Sequence, residues 1–76
     1  MSPRLPAIKP RDAIRALERA GFFLHRVTGS HHILKHPDRP AARVTVPMHT
    51  HDLKRGTLAA VIKASGLSLD EFLGLL

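Results

Sequence analysis

Two adjacent histidines, His31 and His32, follow Gly29-Ser30 and run into Ile33-Leu34-Lys35-His36. Imidazole is the side chain best suited to take and return a proton near neutral pH, because its unperturbed pKa is ~6.5. Gly29 supplies backbone freedom and Ser30 a short polar side chain, so the stretch reads as a tight turn entering a β-strand. Strand side chains alternate between faces. With Ile33 pointing into the core, His32 is expected on the open face, and His31 on Ile33's side at the frayed strand end. A histidine on the open face of a small basic sheet is placed to meet an anionic ligand. The plain alternative is that both are ordinary polar residues at a turn.

The elements that must hold this turn follow from the flanking residues. Met1 to Lys9, with prolines at 3 and 6 and Pro10 next, reads as an extended arm (residues 1–9). The remainder, 10–76, reads as one domain. Pro10 suits the first turn of a helix, where its missing N–H is not needed. Ala13, Ile14, Leu17 and Ala20 form an apolar stripe at helical spacing, and Gly21 is a natural stop. Arg11, Arg15, Glu18 and Arg19 lie off the stripe, and the arginines read first as a solvated helix face and second as a basic face that helps hold phosphate. Phe22–Val27 reads as a first strand, Phe22 and Leu24 on one face and Phe23, His25 and Val27 on the other. The second strand, His32–His36, pairs antiparallel with it through the Thr28-Gly29-Ser30 turn. Pro37-Asp38-Arg39-Pro40 is a strong turn signal. The third strand, Ala42–Val46, places Val44 and Val46 inward and Arg43 and Thr45 outward, and Pro47 ends it.

After a polar connection through Arg55, Thr57 is the expected N-cap of a second helix buried through Leu58, Val61 and Ile62. Ser68-Leu69-Asp70-Glu71 has the form of a capping box. It opens a short last helix whose Leu69, Phe72, Leu73 and Leu76 can pack on the core. The order is α-β-β-β-α with a short extra C-terminal helix. It implies an α+β fold with a three-stranded antiparallel sheet and the helices on one face.

Charge limits the class of partner. The chain carries 12 Lys and Arg against 6 Asp and Glu, a net +6, which favours a polyanion as ligand. The aromatics are three Phe, which gives little support for platforms that stack on bases. Without Cys there is neither a disulfide nor a thiolate metal site. No apolar run approaches the ~18 residues of a membrane span, and the proline-bearing N-terminus is unlike a signal peptide. No membrane partner is expected, and the location expected is cytoplasmic.

Four stretches in order carry a family resemblance. They are Gly21-Phe22, Gly29-Ser30-His31-His32, Val46-Pro47-Met48-His49, and Leu53-Lys54 with Gly56-Thr57-Leu58, the last running on to Gly66-Leu67-Ser68. With them the chain resembles the HicA (YcfA-like) toxins, the small ribonuclease components of type II toxin–antitoxin pairs. The resemblance implies a double-stranded-RNA-binding-domain-like (dsRBD-like) fold, endonucleolytic cleavage of mRNA and neutralisation by a HicB-type antitoxin. It maps the family's catalytic histidine to His32 and leaves His31 at the variable position before it. The toxin alone is expected to be monomeric, with a higher assembly formed with antitoxin.

RNA carries its own nucleophile, the 2′-hydroxyl, so a base that removes its proton is sufficient to start cleavage. No metal and no other cofactor is expected. The products would be a 2′,3′-cyclic phosphate and a 5′-hydroxyl. The leaving oxygen also needs a proton, which His31, His36 or His49 could supply, or His32 itself in a second step; Ser30, His31 and His49 are the supporting candidates. Lys35, Arg43, Lys54 and Arg55 are candidates for backbone phosphate contacts, the last two just before a helix N-terminus. Each is equally readable as a solubilising charge. A rival function is a non-catalytic double-stranded-RNA-binding module, which would need the basic residues but no particular histidine. A histidine metal site at 31, 32, 49 and 51 lacks the carboxylate or Cys such sites commonly use.

Overall fold

The structure is a computed structural model that describes residues 5–76. Of the expected arm, residues 1–4 lie outside the described part. The elements are α1 (Pro10–Arg19), β1 (Phe23–Thr28), β2 (His31–His36), β3 (Arg39–Pro47), α2 (Arg55–Ser65) and α3 (Leu69–Gly74). The sheet order is β1-β2-β3, antiparallel throughout. This is the α-β-β-β-α order with the additional short helix, a dsRBD-like α+β arrangement. No described helix is long and apolar enough to cross a membrane.

The helices cover one face. Leu34, Val44 and Val46 from the sheet share a core with Ala13, Ala16 and Leu17 of α1, Leu58, Val61 and Ile62 of α2, and Phe72 of α3. Two alanines on the buried side of α1 let that helix approach closely. Ile8 of the arm is buried in the same core, and its carbonyl accepts from Leu53 N–H at 2.8 Å. That bond pins the arm to the connection between β3 and α2.

Local chemistry sets the turns. Gly29 takes φ +57° in the two-residue turn between Thr28 and His31, matching a type II′ turn with glycine at its first central position. Gly21, at φ +99°, sits so close to His36 that a Cβ there would lie 2.7 Å from its Nε2. Glycine is therefore required twice over at this position, by backbone and by space.

Several expectations shift. The third strand begins at Arg39, inside the expected Pro37–Pro40 turn; as the edge of the sheet it tolerates Pro40. The second helix begins at Arg55 with Lys54 as N-cap and no side-chain capping bond, so Thr57 lies inside the first turn. Gly56 enters the helix instead of preceding it. The capping box forms as read: Ser68 N–H donates to Glu71 Oε1 at 2.9 Å and Glu71 N–H to Ser68 Oγ at 3.1 Å. Phe72 is fully buried, but Leu76 is 46% exposed and is not a core residue. The short last helix ends before it, and Leu75 C=O accepts from Arg19 instead.

Candidate functional site

The β1–β2 turn and the end of β3 are tied together. His31 pairs with Thr28 on one side and Pro47 on the other, and His32 with Val27 and Val46. One position further, Met48 N–H donates to Ser30 C=O at 2.6 Å. This bond extends the pairing beyond β3 and holds the segment carrying His49 against the Gly29-Ser30 turn. Ser30, His31, His32 and His49 are thus gathered at one end of the sheet.

His32 lies on the helix side of the sheet, which corrects the expected open-face placement. Ile33 and Leu34 are both buried, but Leu34, opposite Leu24 and Val44, is the one that belongs to the core. His32, two residues away, shares Leu34's face. Ile33 takes the other face, paired with Arg26 and Thr45. Two adjacent aliphatic residues leave the phase of a strand ambiguous, and the fold chose Leu34. His32 is half-buried, and its Nδ1 is buried with no hydrogen-bond partner among the described residues. Leaving such an atom unpaired costs about 1–3 kcal/mol.

Strand β1 frames the other flank. A bulge between Leu24 and Arg26 inserts His25 into the ladder. The bulge moves Val27 onto Leu24's face, against the simple alternation expected. Leu24 and Val27 remain 47% and 51% exposed although they lie on the helix side. The helices pack over β2 and β3 and leave β1 overhanging, so His32 borders an uncovered strip.

The other histidines separate in role. His31 is exposed, and by alternation it faces the open side. His36, four residues along β2, is engaged at both ring nitrogens. Nε2 lies 3.1 Å from Ala20 C=O, and Nδ1 accepts from Asp38 N–H at 3.1 Å, which sets Nε2 as the donor. Its ring stands edge-on to Phe22 with centroids 5.0 Å apart. His36 clasps the end of α1 to the β2–β3 turn and is not free to donate a proton at the His32 end. The His49 and His51 rings lie 6.1 Å apart, and among the described residues no three His, Asp or Glu gather as a metal-binding group.

The candidate cations divide in two. Lys35 and Arg43 are cross-strand partners on the open face, with Arg26, and point away from His32's side. Lys54 and Arg55 lie at the start of α2, directly after Leu53. The Ile8–Leu53 bond brings them beside Lys9 and the start of α1. Lys9 Nζ in turn donates to Thr50 C=O at 3.3 Å. Lys9 was not singled out from the sequence, and Arg11 was legible there only as part of a basic face of α1; the arm's docking against residues 50–53 makes them part of this end.

The fold and site define a small basic α+β domain with histidines and cations gathered at one end. The model of a family described as the HicA toxin of bacterial toxin–antitoxin systems matches residues 10–67 of the 76. The chain belongs to the HicA toxin family, so it is the toxin of a toxin–antitoxin system and has an antitoxin as partner. No curated protein matches the chain.

Proposed function

We propose that this toxin is a metal-independent endoribonuclease that cleaves mRNA, with His32 as its catalytic residue and a HicB-type antitoxin as its inhibitor. The reading rests on the environment of His32. Its ring is half-buried beside an uncovered strip, with a buried Nδ1 that has no hydrogen-bond partner among the described residues, at the end of the sheet to which the Met48–Ser30 and Lys9–Thr50 bonds bring Lys9. A buried polar atom without a partner among the described residues, beside a fully partnered histidine on the same strand, supports a role for His32 beyond packing.

The mechanism follows from proton bookkeeping. His32 takes the proton of the ribose 2′-hydroxyl as its oxygen attacks the adjacent phosphorus. The P–O5′ bond breaks, and the departing 5′-oxygen receives the proton from the His32 imidazolium. The products are a 2′,3′-cyclic phosphate and a 5′-hydroxyl. Lys54 and Arg55 hold the RNA backbone on the helix side. Lys35 and Arg43, on the opposite face, contribute to the general positive field.

Expression of the chain in a bacterial host lacking the antitoxin tests the reading in cells. Growth arrest that vanishes in His32→Ala and on co-expression of the antitoxin is expected. Undiminished arrest by His32→Ala would remove His32 from the mechanism.

A further inference from the structure

The structure points to a second anion site: we infer that the cavity between the arm and the β3–α2 connection binds one phosphate of the RNA backbone, apart from the phosphate being cut. The cavity measures about 440 Å³ and is lined by Lys9, Arg11, Met48, His49 and Thr50. Two permanent cations and an imidazole meet there, and no carboxylate is among the lining residues. Asp12, the nearest acid in sequence, lines a different cavity with Arg15 and Arg19. Asp52, two residues beyond Thr50, is likewise absent from the lining, so the charged groups that line the cavity are cations.

The donors suit a phosphate. Lys9 Nζ rests on the Thr50 carbonyl at 3.3 Å, a long bond to a neutral acceptor at an exposed site. A phosphate oxygen offers a shorter, charge-assisted bond. Arg11 supplies a planar fork of donors that matches phosphate geometry. Met48 fixes the cavity's place relative to His32. It lies two residues beyond Val46, the partner of His32, and such diagonal neighbours are about 7–8 Å apart. An RNA strand with its scissile phosphate at His32 reaches the cavity with a neighbouring phosphate of the same strand.

The identity of the ligand rests on the ribonuclease reading. An acidic protein is the rival occupant, but protein interfaces draw their energy from buried aromatic and apolar anchors. Met48 is the one apolar side chain in this lining among the described residues, and the cations around it are exposed. Exposed cations around an open cavity fit backbone contacts that position a nucleic acid.

The test is equilibrium binding of a single-stranded RNA oligonucleotide across a salt series, in a His32→Ala background that separates binding from cutting. Adding Lys9→Gln and Arg11→Gln is expected to weaken binding about tenfold and to reduce the salt slope by about 0.7, the value for one phosphate of a single strand. Both side chains are exposed, so the fold should survive, as circular dichroism would verify. The pair Arg15→Gln and Lys63→Gln removes the same charge elsewhere and should leave the slope unchanged. An unchanged slope in the Lys9 and Arg11 variant, or an equal fall in the control, overturns the site. So does a loss of antitoxin binding with RNA binding intact, which would give the cavity to the protein partner. Undiminished cutting by His32→Ala would instead defeat the catalytic assignment, while the slope would still report on the cavity.

Discussion

His32 and His36 lie on the same side of β2 and meet opposite surroundings. His36 has a partner at each ring nitrogen and an edge-on contact with Phe22; His32 has a buried Nδ1 with none among the described residues. Their substitutions should therefore separate. His36→Ala is expected to lower stability by about 1–3 kcal/mol in denaturant unfolding, from two lost hydrogen bonds and one aromatic contact. RNA cutting below the unfolding transition should persist. His32→Ala should lose roughly 10²- to 10⁴-fold in cutting rate without lowering the unfolding midpoint, because the unpartnered Nδ1 leaves with the ring and offsets the lost packing. The chemical type of both residues could be read from the sequence, but their environments could not. His36 depends on Ala20, sixteen residues away, and the face of His32 on which of Ile33 and Leu34 the helices selected. Lys9 stayed hidden, and Arg11 showed only as part of a basic helix face, for a similar reason: their neighbours in the cavity arrive from residues 48–50.

At the scale of elements, what was legible was local. The capping box of α3 lies within four residues and formed as the letters indicated. Ser68→Ala should cost about 1 kcal/mol of stability, read by thermal or denaturant unfolding. The Ser68 backbone N–H, followed by its hydroxyl, holds the Glu71 carboxyl below its ordinary value of 4.5. The folded state thus binds that proton less readily than the unfolded chain. Its stabilising contribution is complete above about pH 4.5 and is lost as pH falls through the lower folded value. Glu71→Gln should flatten the acid side of the stability profile and leave the neutral side's shape unchanged. Element order, the Gly29-Ser30 turn and the third strand's inward Val44 and Val46 were equally readable, because alternation and glycine signals act over a few residues. The bulge at His25 was not: it corrects register between strands, and no single strand records it.

At the scale of the whole molecule, a core this small leaves only a few kcal/mol of net stability. Phe72, fully buried, reaches that core from the last helix. Phe72→Ala should cost about 3–5 kcal/mol and leave the chain largely unfolded, which a flattened thermal transition would reveal. The charge is +6, and cations from the arm and α1, Lys9 and Arg11, gather beside Met48 and His49 at the sheet end that holds His32. That convergence carries the proposal that this toxin cuts RNA there. The direct test is incubation of a long single-stranded RNA with purified wild-type and His32→Ala protein, each in excess chelator. The account predicts cutting by wild type alone, leaving 2′,3′-cyclic phosphate ends. Equal cutting by both proteins, or binding without cutting by either, would contradict it.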